Sequence, residues 1–151
     1  HRHEEGDQVM IKQISVFLEN DKGRLAALCR CLADAGVNMS ALSIADTPEY
    51  GLVRIVCNEA DKAKAALDEA GYRARVTKVT AVAVPNRPGG LAELLETLDN
   101  ADISVEYGYC FSHQDGNAIF ALKVTDSAQA AEAVFAIERA GFQILEEGEL
   151  D

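Results

Sequence analysis

The chain has 151 residues, 48% of them apolar and 26% charged, with 6% aromatic and no Trp, a composition that excludes disordered, collagen-like and low-complexity classes. Lys and Arg total 14 against 25 Asp and Glu, a formal net charge of −11. A chain that acidic is repelled by phosphate backbones and anionic lipid, which argues against nucleic-acid and membrane partners.

Residues 1–9 are polar and read as a tail or tag remnant, with Met10 a candidate natural start and no secretory signal. Ile11–Leu18 is rich in β-branched residues and ends at the polar Asn20-Asp21-Lys22-Gly23 turn, the pattern of a strand. Leu25, Leu28, Cys29 and Leu32 then fall at i, i+3, i+4 and i+7, an apolar helix stripe in which Cys29 reads as core filler. Gly36 stops that helix in the left-handed region. Val37–Ala45 and Leu52–Cys57 read as a hairpin, Asn58 as the cap of a second helix carrying Ala63, Ala66, Leu67 and Ala70, and Tyr72–Val79 as a strand.

The same order then recurs. Ala81–Pro85 is a strand, Leu91, Leu94, Leu95 and Leu98 form a helix stripe, Ile103–Phe111 and Ala118–Val124 form a hairpin about Asp115-Gly116, Ala131–Ala140 is a helix with Val134 and Ile137 inward, and Phe142–Leu145 is a strand. Asn20-Asp21-Lys22-Gly23-Arg24-Leu25 matches Asn86-Arg87-Pro88-Gly89-Gly90-Leu91, and Ala35-Gly36-Val37-Asn38 matches Ala101-Asp102-Ile103-Ser104 at the same spacing. Ala70-Gly71-Tyr72 matches Ala140-Gly141-Phe142 a few residues later than that spacing requires. Such ordered self-similarity marks an internal duplication, with copies over about residues 10–79 and 80–151. Each copy is βαββαβ, so the chain is predicted to be α+β, two ferredoxin-like units in tandem, each an antiparallel sheet with both helices on one face. Arg75–Val84 contains no Gly, Pro or Asn on which to turn, so no linker is expected. A unit of about 70 residues is marginal alone, which predicts that the halves share an interface.

Several chemistries find no support. Cys29, Cys31, Cys57 and Cys110 include no Cys-x-x-Cys pair, and Cys29 and Cys31 would lie about 200° apart on a helix, so no metal site or other cofactor is expected and reduced cytoplasmic thiols are. His113 beside Asp115 reads as a solvated loop histidine, and Glu146-Glu147-Gly148-Glu149 as a solvated tail. Tyr107 and Tyr109 share one strand face and read as lining packed against another sheet or subunit. No nucleophile–base spacing is present, so the chain is expected to have no catalysis of its own. An acylphosphatase-like activity would require Arg24 or Arg87 in a phosphate loop.

What remains is the repeated strand-to-helix turn. Gly-bearing corners before a helix expose unpaired N–H groups with the positive end of the helix dipole behind them, a setting that suits a carboxylate. The alternative is that Asn and Gly simply make a turn. The Asn-x-x-Gly-x-Leu turn, the Leu-rich helix and the Ala-Gly-Val-Asn entry to a strand together resemble the ACT domain, the small-molecule-sensing module of amino-acid metabolism. The resemblance covers residues 11–147 as two tandem copies, in the manner of stand-alone tandem ACT proteins. It implies amino-acid binding where two ACT units meet side by side, through backbone groups of the first turn and an Asn at the start of the second strand. Carried over, this nominates Asn20, Asp21, Gly23, Arg24, Leu25 and Asn38 in the first copy, and Asn86, Gly89, Gly90, Leu91 and Ser104 in the second. Ser104 stands where the first copy has Asn38 and reaches less far. The expected partners are a free amino acid or similar small metabolite, a second copy in a homodimer, and a metabolic enzyme that the module regulates. A protein-interaction module with purely structural turns is the alternative.

Overall fold

The computed structural model describes residues 10–19, 21–46, 50–112 and 116–150. Asn20, His113, Asp115 and the 1–9 segment therefore lie outside the described residues. The described residues divide into two compact units, Lys12–Thr77 and Lys78–Leu150, the latter taking in Met10 and Ile11.

In the first unit, strand β1 (Met10–Glu19) leads into helix α1 (Arg24–Asp34), the hairpin strands β2 (Met39–Asp46) and β3 (Tyr50–Cys57), helix α2 (Ala60–Glu69) and the first part of strand β4 (Arg73–Pro85). β3 pairs antiparallel with both neighbours, Ile55 opposite Ile14 of β1 and Leu42 of β2. Strand alternation sends Ile14, Val16, Leu18, Val53 and Ile55 to one face. There they close on Leu28 and Leu32 of α1 and Ala63 and Leu67 of α2, with Ala74 and Val76 of β4 packed alongside.

The second unit repeats the plan with the rest of β4, helix α3 (Gly90–Asn100), strands β5 (Val105–Ser112) and β6 (Asn117–Val124), helix α4 (Ala130–Arg139) and strand β7 (Gln143–Leu145). Its strands run β5-β6-β4-β7, all antiparallel, with Ala81 of β4 between Ala121 and Leu145. Val82, Val84, Phe120 and Leu122 meet Leu94, Leu98, Ala133 and Ile137 in the core. Both units are thus ferredoxin-like α+β sandwiches, as the sequence predicts.

Four details depart from the sequence reading. β4 is a single 13-residue strand where two were expected, in keeping with a segment that offers no residue to turn on. The buried stripe of α1 is rotated: Leu28 and Leu32 are fully buried, but their companions on the core are Cys31 and Ala35 rather than Leu25 and Cys29. Cys31 donates a weak Sγ–H bond to the Ala66 carbonyl across to α2, at 3.8 Å, which fixes that face toward the second helix. Leu95 on α3 is likewise exposed, as Leu25 is. Finally, Asn58 does not cap α2. Its N–H still bonds the Asn38 carbonyl at 3.4 Å, so the chain stays extended past it and Glu59 becomes the N-cap.

The corner after α3 carries a cost its counterpart avoids. Gly36 ends the first loop at φ 77, whereas Asp102 adopts φ 60 with a side chain, a conformation that strains L-residues. Asp102→Gly is expected to raise stability by about 0.5 kcal/mol, the relieved strain less the extra unfolded-state entropy of glycine, read as an upward shift of the urea midpoint.

Candidate functional site

Both strand-to-helix turns are built on a left-handed glycine. Gly23 (φ 87) is the N-cap of α1 and Gly89 (φ 86) that of α3, and neither helix has a side-chain cap. Glycine's freedom at positive φ lets the chain reverse in so few residues. In the first turn Arg24 N–H bonds the Asp21 carbonyl at 3.3 Å, and Ala27 N–H bonds the Gly23 carbonyl at 3.0 Å. In the second, Gly90 N–H bonds the Arg87 carbonyl at 3.1 Å, and Glu93 N–H bonds the Gly89 carbonyl at 2.9 Å.

Between those bonds lie the N–H groups of Leu25 and Ala26 in one turn and of Leu91 and Ala92 in the other, which no acceptor among the described residues takes. They are the orphan donors of a helix start, backed by the dipole. Ala26 and Ala92 did not figure among the sequence candidates. Counting three residues on from each N-cap glycine would have found them, because an N-cap side chain, where present, bonds at that position.

The surrounding charge differs between the copies. α1 has no acidic residue in its first turn. Arg24 there is bound by Glu19 at 2.9 Å, with Asp21 at 4.0 Å. α3 carries Glu93 in its first turn, and Arg87 holds that carboxylate at 3.0 Å while donating to the Pro88 carbonyl at 3.4 Å. Each arginine therefore holds a neighbouring carboxylate at the surface.

Gly90 is held by its own constraint: a Cβ there would stand 2.3 Å from the Pro85 carbonyl oxygen. Asp21, Asn86 and Gly89 are exposed, Leu91 is half-buried against the core and Leu25 is exposed. Asn38 and Ser104 occupy matching places at the entries to β2 and β5. The Asn38 carbonyl accepts from Asn58 N–H, the Ser104 carbonyl from Thr125 N–H at 2.9 Å, and both side chains are exposed.

Within one unit these candidates do not all converge. Asp21, Gly23, Arg24 and Leu25 gather at the N-terminus of α1, but Asn38 lies beyond its C-terminus. An 11-residue helix is about 16 Å long at 1.5 Å per residue, more than one amino acid can bridge. Asn86, Gly89, Gly90 and Leu91 are separated from Ser104 in the same way by α3, also of 11 residues.

Two ferredoxin-like units in tandem, each with a left-handed glycine at the start of its first helix, define the class of fold. The family model described as "ACT domain pair" matches residues 9–150, and the chain belongs to that family. The ACT pair is a regulatory rather than a catalytic module. Among solved structures, protein BT0572 from Bacteroides thetaiotaomicron is similar at 30% identity and a TM-score of 0.86, over 94% of this chain and 96% of that one. The regulatory subunit of aspartate kinase from Thermus thermophilus, in its ligand-free form, shares the fold at 17% identity and a TM-score of 0.61, over 86% and 92% of the two chains. That from Thermus flavus does so at 16% and 0.58, over 85% and 91%. No curated protein matches the chain. No helix among the described residues is long and apolar enough to cross a membrane.

Proposed function

We propose that this ACT pair binds a free amino acid, or a similar small zwitterion, and through it regulates a metabolic enzyme. One observation carries the reading: the same left-handed glycine corner occurs twice, each time leaving first-turn N–H groups without a cap. The α-carboxylate docks on the Leu25 and Ala26 N–H groups, or on those of Leu91 and Ala92. Because Asn38 lies a helix length from the turn of its own unit, it meets the ligand from a second copy of the chain in a homodimer. Its amide oxygen accepts from the α-ammonium, so that both charges of the zwitterion are hydrogen-bonded when water is excluded. Asn20 and Asn86 supply further amide groups at the two corners. Ser104 offers a shorter reach, so the site that uses Asn38 binds more tightly. Ligand held between copies favours the assembled arrangement by its differential affinity, which is how a module without catalysis passes on a signal.

Isothermal titration of the chain against the standard amino acids tests this. Saturable binding of at least one is expected, weakened by about 2 kcal/mol in Asn38→Ala, where a charged partner loses its acceptor. Absence of heat with every amino acid would leave a protein-interaction module whose turns are structural. Unchanged affinity in Asn38→Ala would place the ligand elsewhere.

A further inference from the structure

The first unit also carries a hollow lined by none of the residues of the helix corners. Phe17 near the end of β1, Tyr72, Arg73, Ala74 and Arg75 at the start of β4, and Asp68 on the last turn of α2 enclose a hollow of about 300 Å³. Ala74 and Val76 turn inward onto the core, so strand alternation sends Arg73 and Arg75 together to the opposite face. Two residues apart on a strand, their Cα atoms are roughly 6.6 Å from one another, close enough for both guanidiniums to reach one anionic group.

The charge in this hollow is unbalanced in an unexpected direction. Acids outnumber bases in the chain by 25 to 14. Among the described residues Lys12, Arg24, Lys64, Arg87 and Lys123 each hold a carboxylate. Arg73 and Arg75 hold none, although both are exposed. The carboxylate that borders them, Asp68, is already taken by Lys64. Two positive charges thus sit two residues apart on one strand face without a carboxylate of their own.

Arg73 is also positioned in advance. Its guanidinium carbon lies 5.4 Å from the centroid of the Phe17 ring, and Phe17 is braced edge-on by Tyr50 at 5.4 Å and 71°. A guanidinium stacked in this way loses less freedom when it forms hydrogen bonds to an anion.

We propose that this hollow binds a small phosphate monoester. Such a group carries −1.5 to −2 charge near neutral pH, matching the two guanidiniums, and its oxygens suit the planar donor fork of arginine. The exposed part of the Phe17 ring receives a flat or apolar remainder of the ligand. The limited volume and the net charge of −11 select a small metabolite over a polyanion.

The test uses the full chain with phenyl phosphate and inorganic phosphate as probes, followed by calorimetry and by backbone amide shifts. Phenyl phosphate is expected to bind saturably, to move the amides of Tyr72–Arg75, and to bind more tightly than inorganic phosphate. Arg73→Gln and Arg75→Gln should each weaken it about tenfold, as loss of a charge-assisted hydrogen bond does. Both side chains are exposed, and unchanged thermal midpoints would show that the variants fold. Asn86→Ala should bind phenyl phosphate as the parent does, which separates this site from the second helix corner. No saturable binding at about 10 mM probe, parent-like affinity in both arginine variants, or no preference for phenyl over inorganic phosphate would each overturn the proposal.

Discussion

Leu28→Ala and Leu94→Ala should each cost about 3 to 4 kcal/mol. The two leucines hold corresponding places in the duplicated helices α1 and α3, and both are 0% exposed. Each removes three methylene-equivalents from a packed core and leaves a cavity, for which the measured range of such changes is about 2 to 5 kcal/mol. The neighbours set the figure within that range. Leu28 belongs to one core cluster with Ile14, Val16, Leu32, Ile55 and Leu67, and Leu94 to another with Val82, Val84, Leu98, Phe120 and Ile137. These are strand and helix residues held by ladder and helix hydrogen bonds, so neither site can collapse far to fill the void. The loss would appear in denaturant titrations as a lower midpoint at unchanged slope. Leu25→Ala and Leu95→Ala, at the exposed members of the expected stripes, should cost about 0.5 kcal/mol or less. Equal costs for all four would mean that the buried stripe runs where the raw i, i+3, i+4, i+7 pattern puts it.

That contrast shows what periodicity can and cannot specify. The apolar spacing of Leu25, Leu28, Cys29 and Leu32 correctly identified a helix, but four apolar residues span a wide arc and do not say which edge of it faces inward. The second helix decided the matter by approaching on the side of Cys31 and Ala35. The repeat was more informative than the periodicity, because equivalent positions constrain one another. Gly23 and Gly89, matched in sequence, adopt φ 87 and 86, and Asn38 and Ser104 make the same backbone bond at the same strand entry. A single copy would have left each glycine as one turn among many.

Other features were hidden for physical reasons. Asn58 reads as a cap because Asn favours that place, but the strand bond to Asn38 outlasts the preference and moves the helix start onward. The hollow beside Phe17 gathers Phe17, Asp68 and the Tyr72–Arg75 stretch from segments some fifty residues apart. No local motif announces it, since an arginine pair on a strand looks like any solvated face until topology sets an aromatic ring beneath it. The corner candidates, by contrast, are contiguous and therefore readable, while the relation of Asn38 to its corner depends on α1 lying between them.

Gly90→Ala should cost about 3 kcal/mol, several times the effect usual for a change this small, and more than Gly23→Ala. The two residues sit in equivalent turns yet are glycine for different reasons. Gly23 has nothing within 4 Å of where a Cβ would be, so its substitution costs only the left-handed φ, about 1 to 2 kcal/mol. Gly90 has ordinary helical geometry, but its Cβ would lie 2.3 Å from the Pro85 carbonyl oxygen and 3.3 Å from Val84 Cγ1. The oxygen cannot simply retreat. It belongs to the last residue of β4, which is paired with Asn117 of β6, and it accepts the Arg87 N–H at 2.9 Å. Relief therefore means loosening either the strand end or the turn, and overpacking of this kind costs about 1 to 3 kcal/mol, at the upper end here because backbone must move. The first copy escapes the conflict and carries Arg24 at the equivalent place. If the second corner binds an amino acid, the displaced turn should also lower its affinity, whereas binding that depends on the first corner should be unaffected. A Gly90→Ala protein as stable as the parent in urea would show that the Pro85 carbonyl yields easily, and that the second corner is a softer structure than the ladder and turn bonds around it imply.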